Sequence, residues 1–261
     1  MSTALITGAS SGIGESFAFE LARQHYDLVL IARRRDRLDA VAAKAKEIGA
    51  GRTEIVAADL ARPGAPLELQ ARLAAASIYV DYLINNAGFG TTGRFDRLPL
   101  EREIEEIELN VSALVALTRL FLPSMIERRR GTIINVASTA AFQPIPYMAT
   151  YGATKAFVLS FTEAIGAEAA GTGVRILALC PGPVRTEFQA VAKNENALMP
   201  SFVYMDPDTV VKQALSAVER GRRVRINGIM NAAGAVAARL FPRALVTAIA
   251  GRIYRDAGST G

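Results

Sequence analysis

Tryptophan is absent from the sequence, and cysteine and histidine occur once each, as Cys180 and His25. A lone cysteine excludes an internal disulfide. A lone histidine removes the imidazole ligands of most zinc sites and the base of a Ser-His-Asp triad, so no resident metal is expected. Chemistry must then rest on hydroxyls, amides, carboxylates and amines. Cys180, in "LALCPGP", reads as a buried strand-end thiol rather than a nucleophile, and His25, in "ARQHYDL", as a turn residue after the first helical pattern. Also missing is a charged leader followed by a hydrophobic core, because "MSTALITG" runs directly into a strand pattern. No apolar run reaches the roughly 18 to 20 uninterrupted residues of a membrane span. Asn231, Arg239, Pro242 and Arg243 break up the longest candidate, near the C-terminus. These features predict a cytoplasmic protein without a transmembrane helix. The net charge of +5 suits an anionic ligand or surface, but the basic residues are scattered without interleaved aromatics, so nucleic acid is not an expected partner.

What is present is a core-forming chain of 261 residues, 51% of them hydrophobic. The apolar runs "TALIT", "DLVLIA", "TEIVAA", "DYLIN", "GTIINVAS", "VRILALC" and "RRVRI" alternate with longer helical patterns. Nearly continuous hydrophobic strands separated by helices predict an α/β fold: a single Rossmann-like, doubly wound parallel sheet of about seven strands with helices on both faces. Residues 1–228 form the expected dinucleotide-binding and catalytic domain, and 229–261 a basic helical extension. Gly49 and Gly171 fit helix C′ positions, and "MDPDT" places Asp206 at an N-cap with Pro207 at N1.

"TGASSGIG", residues 7–14, lies between the first strand and the first helix. Gly8 permits a tight turn, Gly12 lets the backbone approach a pyrophosphate, and Gly14 allows close helix packing with the helix N-terminus facing the phosphates. The spacing is GxxxGxG rather than GxGxxG, so the flanking strand and helix carry part of the argument. The second strand ends "LIARRRDRL", where Ala32 stands in place of the acidic residue of an NAD site and Arg33 and Arg34 follow. A carboxylate repels a 2′-phosphate, whereas a guanidinium pairs with it in a fork, which predicts NADP(H) over NAD(H). The alternative is a solvated charge run at a helix start.

In "ATYGATKAFV", Tyr151 and Lys155 fall four apart, on one helix face about 5 to 6 Å apart at Cβ. A phenol of pKa ~10 is a poor base at neutral pH, and a nearby ammonium favours its ionised form. Lowering that pKa by ~3 units requires ~4 kcal/mol, which Lys155 together with the positive ring of an oxidised nicotinamide is expected to supply. Tyr151 would then donate a proton in reduction and accept one in oxidation. Alone, such a pair would more simply pack and snorkel. It is not alone: Ser138 ends the strand "GTIINVAS", Asn85, Asn86 and Gly88 end "DYLINNAG" at the same sheet edge, and Asn110 lies in apolar "LNVSALVAL", where a buried amide needs a partner.

Over roughly residues 3 to 226 the sequence resembles a short-chain dehydrogenase/reductase, through "TGASSGIG", the NNAG at 85–88, Asn110, Ser138, "YGATK" and "PGPVRTEF". The resemblance implies Tyr151 as acid/base, Ser138 positioning the carbonyl or hydroxyl, Lys155 holding the nicotinamide ribose and tuning Tyr151, and Asn110 anchoring a relay water. It also implies Asp59 at the adenine, Asn86 on the ribose side, and Val184 and Thr186 at the carboxamide and phosphate end. Ser10, Ser11, Ile13, Leu60, Ala87, Gly88, Pro181 and Gly182 complete the implied NADP(H) site. Homodimers or homotetramers through the helices around Asn110 and Tyr151 follow from the same resemblance.

The expected function is an NADP(H)-dependent oxidoreductase acting on an alcohol/carbonyl pair; the alternative is a dinucleotide-binding regulatory or scaffold protein. The segment "EFQAVAKNENALMPSFVYM" stands where the family has a mobile lid, and Phe89, Phe142, Phe188, Met199 and Phe202 are candidates for an apolar pocket, which suggests a hydrophobic ketone or aldehyde. In the extension, Pro242 should divide two helical pieces. Leu245, Val246, Ile249 and Ile253 fall on one face of the second, with Arg243, Arg252 and Arg255 off it. That stripe is expected either to pack on the subunit or its partner beside the pocket, or to contact an anionic membrane peripherally.

Overall fold

The seven apolar runs become seven parallel strands: β1 (Thr3–Thr7), β2 (Asp27–Ala32), β3 (Thr53–Ala57), β4 (Tyr82–Asn85), β5 (Gly131–Val136), β6 (Val174–Cys180) and β7 (Val224–Ile226). The computed structural model describes residues 2–192 and 203–255. The strands form one sheet in the order β3-β2-β1-β4-β5-β6-β7. The chain works outward from β1 to β3, then returns to lay β4 on the other side of β1, which opens a crevice at the carboxyl ends of β1 and β4.

The helices are α1 (Gly12–Arg23), α2 (Arg35–Ile48), α3 (Ala65–Ala75), α4 (Leu100–Ile107), α5 (Leu114–Glu127), α6 (Ala149–Glu168), α7 (Phe188–Ala192), α8 (Pro207–Glu219), α9 (Ile229–Leu240) and α10 (Arg243–Tyr254). Alternation along the strands divides the core between both sheet faces. Ile6, Leu30 and Leu179 meet Phe17 and Leu21 of α1 and Val211 of α8 on one face. Leu5, Val29 and Ile133 meet Leu73 of α3 and Leu117 and Phe121 of α5 on the other. Each such fully buried side chain contributes roughly 1.5–3 kcal/mol. Asp206 caps α8 as predicted, accepting a hydrogen bond from Thr209 N at 3.1 Å; Gly49, with φ of +128°, is the C-cap of α2 rather than the residue after it, and Gly171, with φ of +79°, lies two residues beyond the α6 C-cap Ala169.

Around Asn110 the helix is not regular throughout. A π-helical turn, Glu108–Ala113, joins α4 to α5. The run Leu100–Glu127 is long and apolar enough to cross a membrane by length and composition. Leu114, Leu117, Phe121 and Met125 are instead buried within the protein.

Pro242 separates α9 from α10 as expected, but the apolar stripe of α10 is rotated from the predicted one. Val246, Ala250 and Gly251 face inward, with Gly251 against Pro146, while Leu245 and Ile249 are exposed. Two small residues allow closer approach than the bulkier face would. Of the expected stripe only Val246 is buried.

Candidate active site

The carboxyl ends of the central strands open into a cavity of about 440 Å³. At its phosphate end the chain leaves β1 through Gly8, whose φ is +66°, and enters α1. A Cβ on Gly14 would fall 2.2 Å from the Gly8 carbonyl oxygen, so only glycine lets α1 start this close to the strand. Ser10, Ser11, Gly12 and Ile13 line the cavity here. The N-cap residue Ser11 makes no side-chain cap and the Glu15 carboxyl meets only the Gly12 amide, which leaves the other first-turn amides for an anion. Asn86 buckles this loop to the one after β4: its Nδ2 donates to the Thr7 and Gly8 carbonyls at 3.0 and 3.3 Å, and Thr7 Oγ1 accepts from Ala87 N at 2.9 Å.

At the end of β2, Arg33 pairs with Glu105 at 3.1 Å. Arg34 Nη2 donates to Ser10 and Ser11 Oγ at 3.3 Å each and to Glu187 Oε2 at 2.8 Å, and Arg37 pairs with the same carboxylate. Arg34 holds the Glu187 carboxyl below the usual carboxylate range. These groups are about half-exposed, so their ion pairs are weak and exchangeable for a phosphate dianion. Asp59 and Leu60, after β3, line the adjacent wall, with Gly88 beyond Asn86 and Ala87.

At the other end Ser138 follows β5, and α6 brings Tyr151 and Lys155 to the same cavity, with Pro181, Gly182, Val184 and Thr186 following β6. Lys155 is buried; its Nζ donates to the Val136 carbonyl at 2.8 Å and lies 5.7 Å from the centroid of the Tyr151 ring. Burial lowers the Lys155 ammonium to about 8, opposed by the Glu106 carboxyl. Desolvation pushes the Tyr151 phenol up to about 12, with a Ser138 hydrogen bond opposing the rise and Glu106 adding to it. In the protein by itself desolvation dominates the phenol and the Lys155 ammonium is committed to a carbonyl; the expected lowering of Tyr151 is for Lys155 together with an oxidised nicotinamide.

Asn110 and Gly14 are the two predicted site residues that do not line the cavity. Buried Asn110 works from behind it. Its Nδ2 donates to Phe89 O at 2.8 Å and Thr154 Oγ1 at 3.1 Å, and its Oδ1 accepts from Phe89 N at 3.1 Å, tying the loop after β4 to α6. The π-turn supplies this side chain, in keeping with the occurrence of such turns at functional sites. Asn85, expected at the cavity edge, is buried against α5 instead and donates to Asn135 Oδ1 at 2.8 Å and Thr118 Oγ1 at 3.1 Å. Cys180 is buried and its thiol pushed up to about 12 by desolvation.

Of the candidate pocket residues, Phe89 and Phe188 line the cavity; Phe142 lies instead under the Arg239 guanidinium, 5.1 Å from its ring centroid. Met199 and Phe202 lie outside the described residues. Sequence reasoning missed Glu187 at the phosphate end, and Met148, Tyr204 and Tyr254 at the substrate end. Glu187, Met148 and Tyr204 lie within or beside the motifs and the lid segment already singled out, but nothing in their residue types marks them; Tyr254 reaches the cavity from the distant α10.

The fold and cleft define a dinucleotide-binding α/β protein with a phenol, a hydroxyl and an ammonium gathered at one end of the nucleotide site. Residues 2–197 match the short chain dehydrogenase family, and the chain belongs to this oxidoreductase family. It is 33% identical over 231 residues to the human very-long-chain 3-oxoacyl-CoA reductase, covering 87% of this chain and 71% of the relative. Among solved structures, a short-chain dehydrogenase from Sphingobium yanoikuyae in complex with NADPH superposes with a TM-score of 0.82 at 36% identity, covering 96% of this chain and 94% of the other. A short chain dehydrogenase/reductase from Burkholderia phymatum in complex with NAD gives 0.79 at 25% identity, covering 92% of each chain. The open first-turn amides of α1, the glycine contact beneath them and the two arginines after β2 fit such a dinucleotide.

Proposed function

We propose that the protein is a cytoplasmic, NADP(H)-dependent oxidoreductase that interconverts an alcohol and a carbonyl, with a hydrophobic ketone or aldehyde as substrate. The observation that carries this reading is the convergence of Ser138, Tyr151 and Lys155 in a cavity whose opposite end holds Arg33 and Arg34. Arg34 and Arg33 receive the 2′-phosphate, the first turn of α1 takes the pyrophosphate, and Asp59 and Leu60 flank the adenine. The nicotinamide, when bound, supplies or accepts the hydride. Ser138 orients the substrate oxygen by donating a hydrogen bond. Tyr151 gives that oxygen its proton during reduction, a role that suits a phenol held in its protonated form near neutral pH. Lys155 keeps a cation beside the developing phenolate, and Asn110 fixes the loop and helix between which the substrate oxygen must sit.

The substrate end is apolar: Phe89, Ile145, Met148, Phe188, Val191 and Tyr254 line it. The relatives named as very-long-chain 3-oxoacyl-CoA reductases add support for a carbonyl on a long apolar body. A panel of ketones, aldehydes and quinones with NADPH and NADH tests the reading; consumption of NADPH by hydrophobic carbonyls supports it, and inertness toward the whole panel overturns it. A regulatory binding role has no observation in its favour, since a binding module has no need for this hydroxyl and ammonium set.

A second copy of the chain is the proposed occupant of the apolar face formed by Ile104 and Ile107 of α4 and Phe157 of α6, all exposed. Sedimentation at micromolar concentration is expected to show a dimer or tetramer. Replacing Phe157 and Ile107 with charged residues should shift it to monomer, and a wild-type protein that sediments as a monomer would contradict the proposal.

A further inference from the structure

Two glutamates of α4 lie buried directly behind the active site, Glu106 at 0% and Glu103 at 5% exposure. Thr91, in the loop after β4, has its Oγ1 2.5 Å from Glu103 Oε1 and 2.9 Å from Glu106 Oε2. Thr150, which precedes Tyr151 on α6, donates its hydroxyl to Glu103 Oε2. The group therefore links α4, the loop after β4 and the catalytic helix.

Its protons do not balance if both carboxyls are ionised. A hydroxyl donates one hydrogen, and an ionised carboxylate only accepts. The Thr150 proton is committed to Glu103, and the single Thr91 proton serves one carboxylate. The other carboxyl must then donate to the Thr91 oxygen, and so must carry a proton. Glu106 is that carboxyl. Both Glu103 oxygens receive hydroxyl donors, whereas Glu106 Oε1 is buried without a hydrogen-bond partner, which a neutral carbonyl oxygen tolerates far better than a charged one. Burial pushes Glu106 up to about 7; Glu103 adds to the rise, and Thr91 and the Lys155 ammonium oppose it. Glu106 in turn raises both Tyr151 and Lys155.

We infer that Glu106 is a positioning residue of the reaction, holding a buried proton that completes the Glu103–Thr91–Thr150 clamp and setting, through its charge, how tightly Tyr151 and Lys155 hold theirs. This rests on the reading of Tyr151 as the acid. With Glu106 neutral, the clamp carries one negative charge and every donor is used. With Glu106 ionised, two carboxylates face one hydroxyl, and the added charge favours the protonated tyrosine and lysine. Rising pH thus makes Tyr151 a more persistent proton donor for reduction and a poorer acceptor for oxidation.

The test has two parts. In wild-type protein carrying carboxyl-labelled glutamate, one buried glutamate should titrate near 7 by carbon NMR without cofactor or turnover; if every glutamate titrates in the ordinary range, the inference fails whatever Tyr151 does. Glu106→Gln keeps the shape and offers a donor to Thr91 but cannot ionise. It should abolish that titration, and at alkaline pH it should move the pH profile of alcohol oxidation to lower pH by about half a unit or more, with KM little changed. Glu106→Asp, which restores the charge, should return the profile toward wild type. A Glu106→Gln profile that superimposes on wild type would overturn the inference. Should that variant fail to fold, the wild-type titration alone still decides the matter.

Discussion

Replacing Tyr151 by phenylalanine is expected to leave NADPH affinity nearly unchanged and to lower turnover by at least about 10²-fold, the usual scale for loss of a general acid. The ring packs on Phe188 at a centroid distance of 5.2 Å and against Gly90, and phenylalanine keeps both contacts. What disappears is the hydroxyl and its hydrogen bond with Ser138. Lys155 retains its bond to the Val136 carbonyl, so the floor of the site should survive. Nucleotide fluorescence and steady-state turnover, measured side by side, separate binding from chemistry. Retained turnover would remove Tyr151 from the proton-transfer step.

Arg34→Ala is expected to weaken NADPH binding by roughly 10- to 100-fold, the scale of one lost charge-assisted hydrogen bond of about 1.5–3 kcal/mol, and to leave NADH binding nearly untouched. Arg34 already bridges Ser10, Ser11 and Glu187 at the phosphate end. Arg33→Ala should act in the same direction and Arg33→Asp more strongly, since a carboxylate there repels the 2′-phosphate. Arg33 is paired with Glu105 and Arg34 with Glu187, so each must exchange a carboxylate for the phosphate; the reach of Arg34 to Ser10 and Ser11 of the phosphate loop favours it as the larger contributor. Equal losses for both nucleotides would mean that the arginines serve the fold rather than the phosphate.

Much of the architecture was legible because it rests on local patterns. Continuous apolar strands imply burial on both faces, and glycines at fixed spacing imply a phosphate turn; the observed sheet and the Gly14 contact match both. The site residues from Ser10 to Thr186 could be assigned to one sheet edge because parallel strands deliver their carboxyl ends there. The glutamate clamp was hidden for the opposite reason. "EREIEEIE" reads as a helix with isoleucines inward and glutamates in water, yet Ile104 and Ile107 are exposed while Glu103 and Glu106 are buried. Hydroxyls from the loop after β4 and from α6 reverse the pattern, and only tertiary structure brings them there. The same holds for the phenol: helical spacing placed Lys155 beside Tyr151, but the balance between its charge and desolvation depends on where Val136 and the sheet edge lie.

Burial of Glu106 also predicts a pH dependence of stability. Its folded pKa lies above the unfolded value of 4.5, near 7, so the folded protein holds this proton more tightly. The contribution is fully present below the unfolded value and is lost as pH rises through about 7, a difference of about 3 kcal/mol. Glu106→Gln should therefore gain stability over wild type at pH 8 on that scale and lose the advantage as pH falls toward 5, readable by denaturant unfolding.

The central claim, proton transfer from Tyr151 coupled to use of NADPH, is tested most directly by mixing the protein with NADPH and a hydrophobic ketone and measuring nucleotide oxidised against alcohol formed. Equal amounts of each are expected in the wild type, and at least about a 10²-fold slower rate in Tyr151→Phe with NADPH still bound. A protein that binds NADPH yet oxidises none of it with any ketone, aldehyde or quinone, or a Tyr151→Phe variant as fast as wild type, would contradict it.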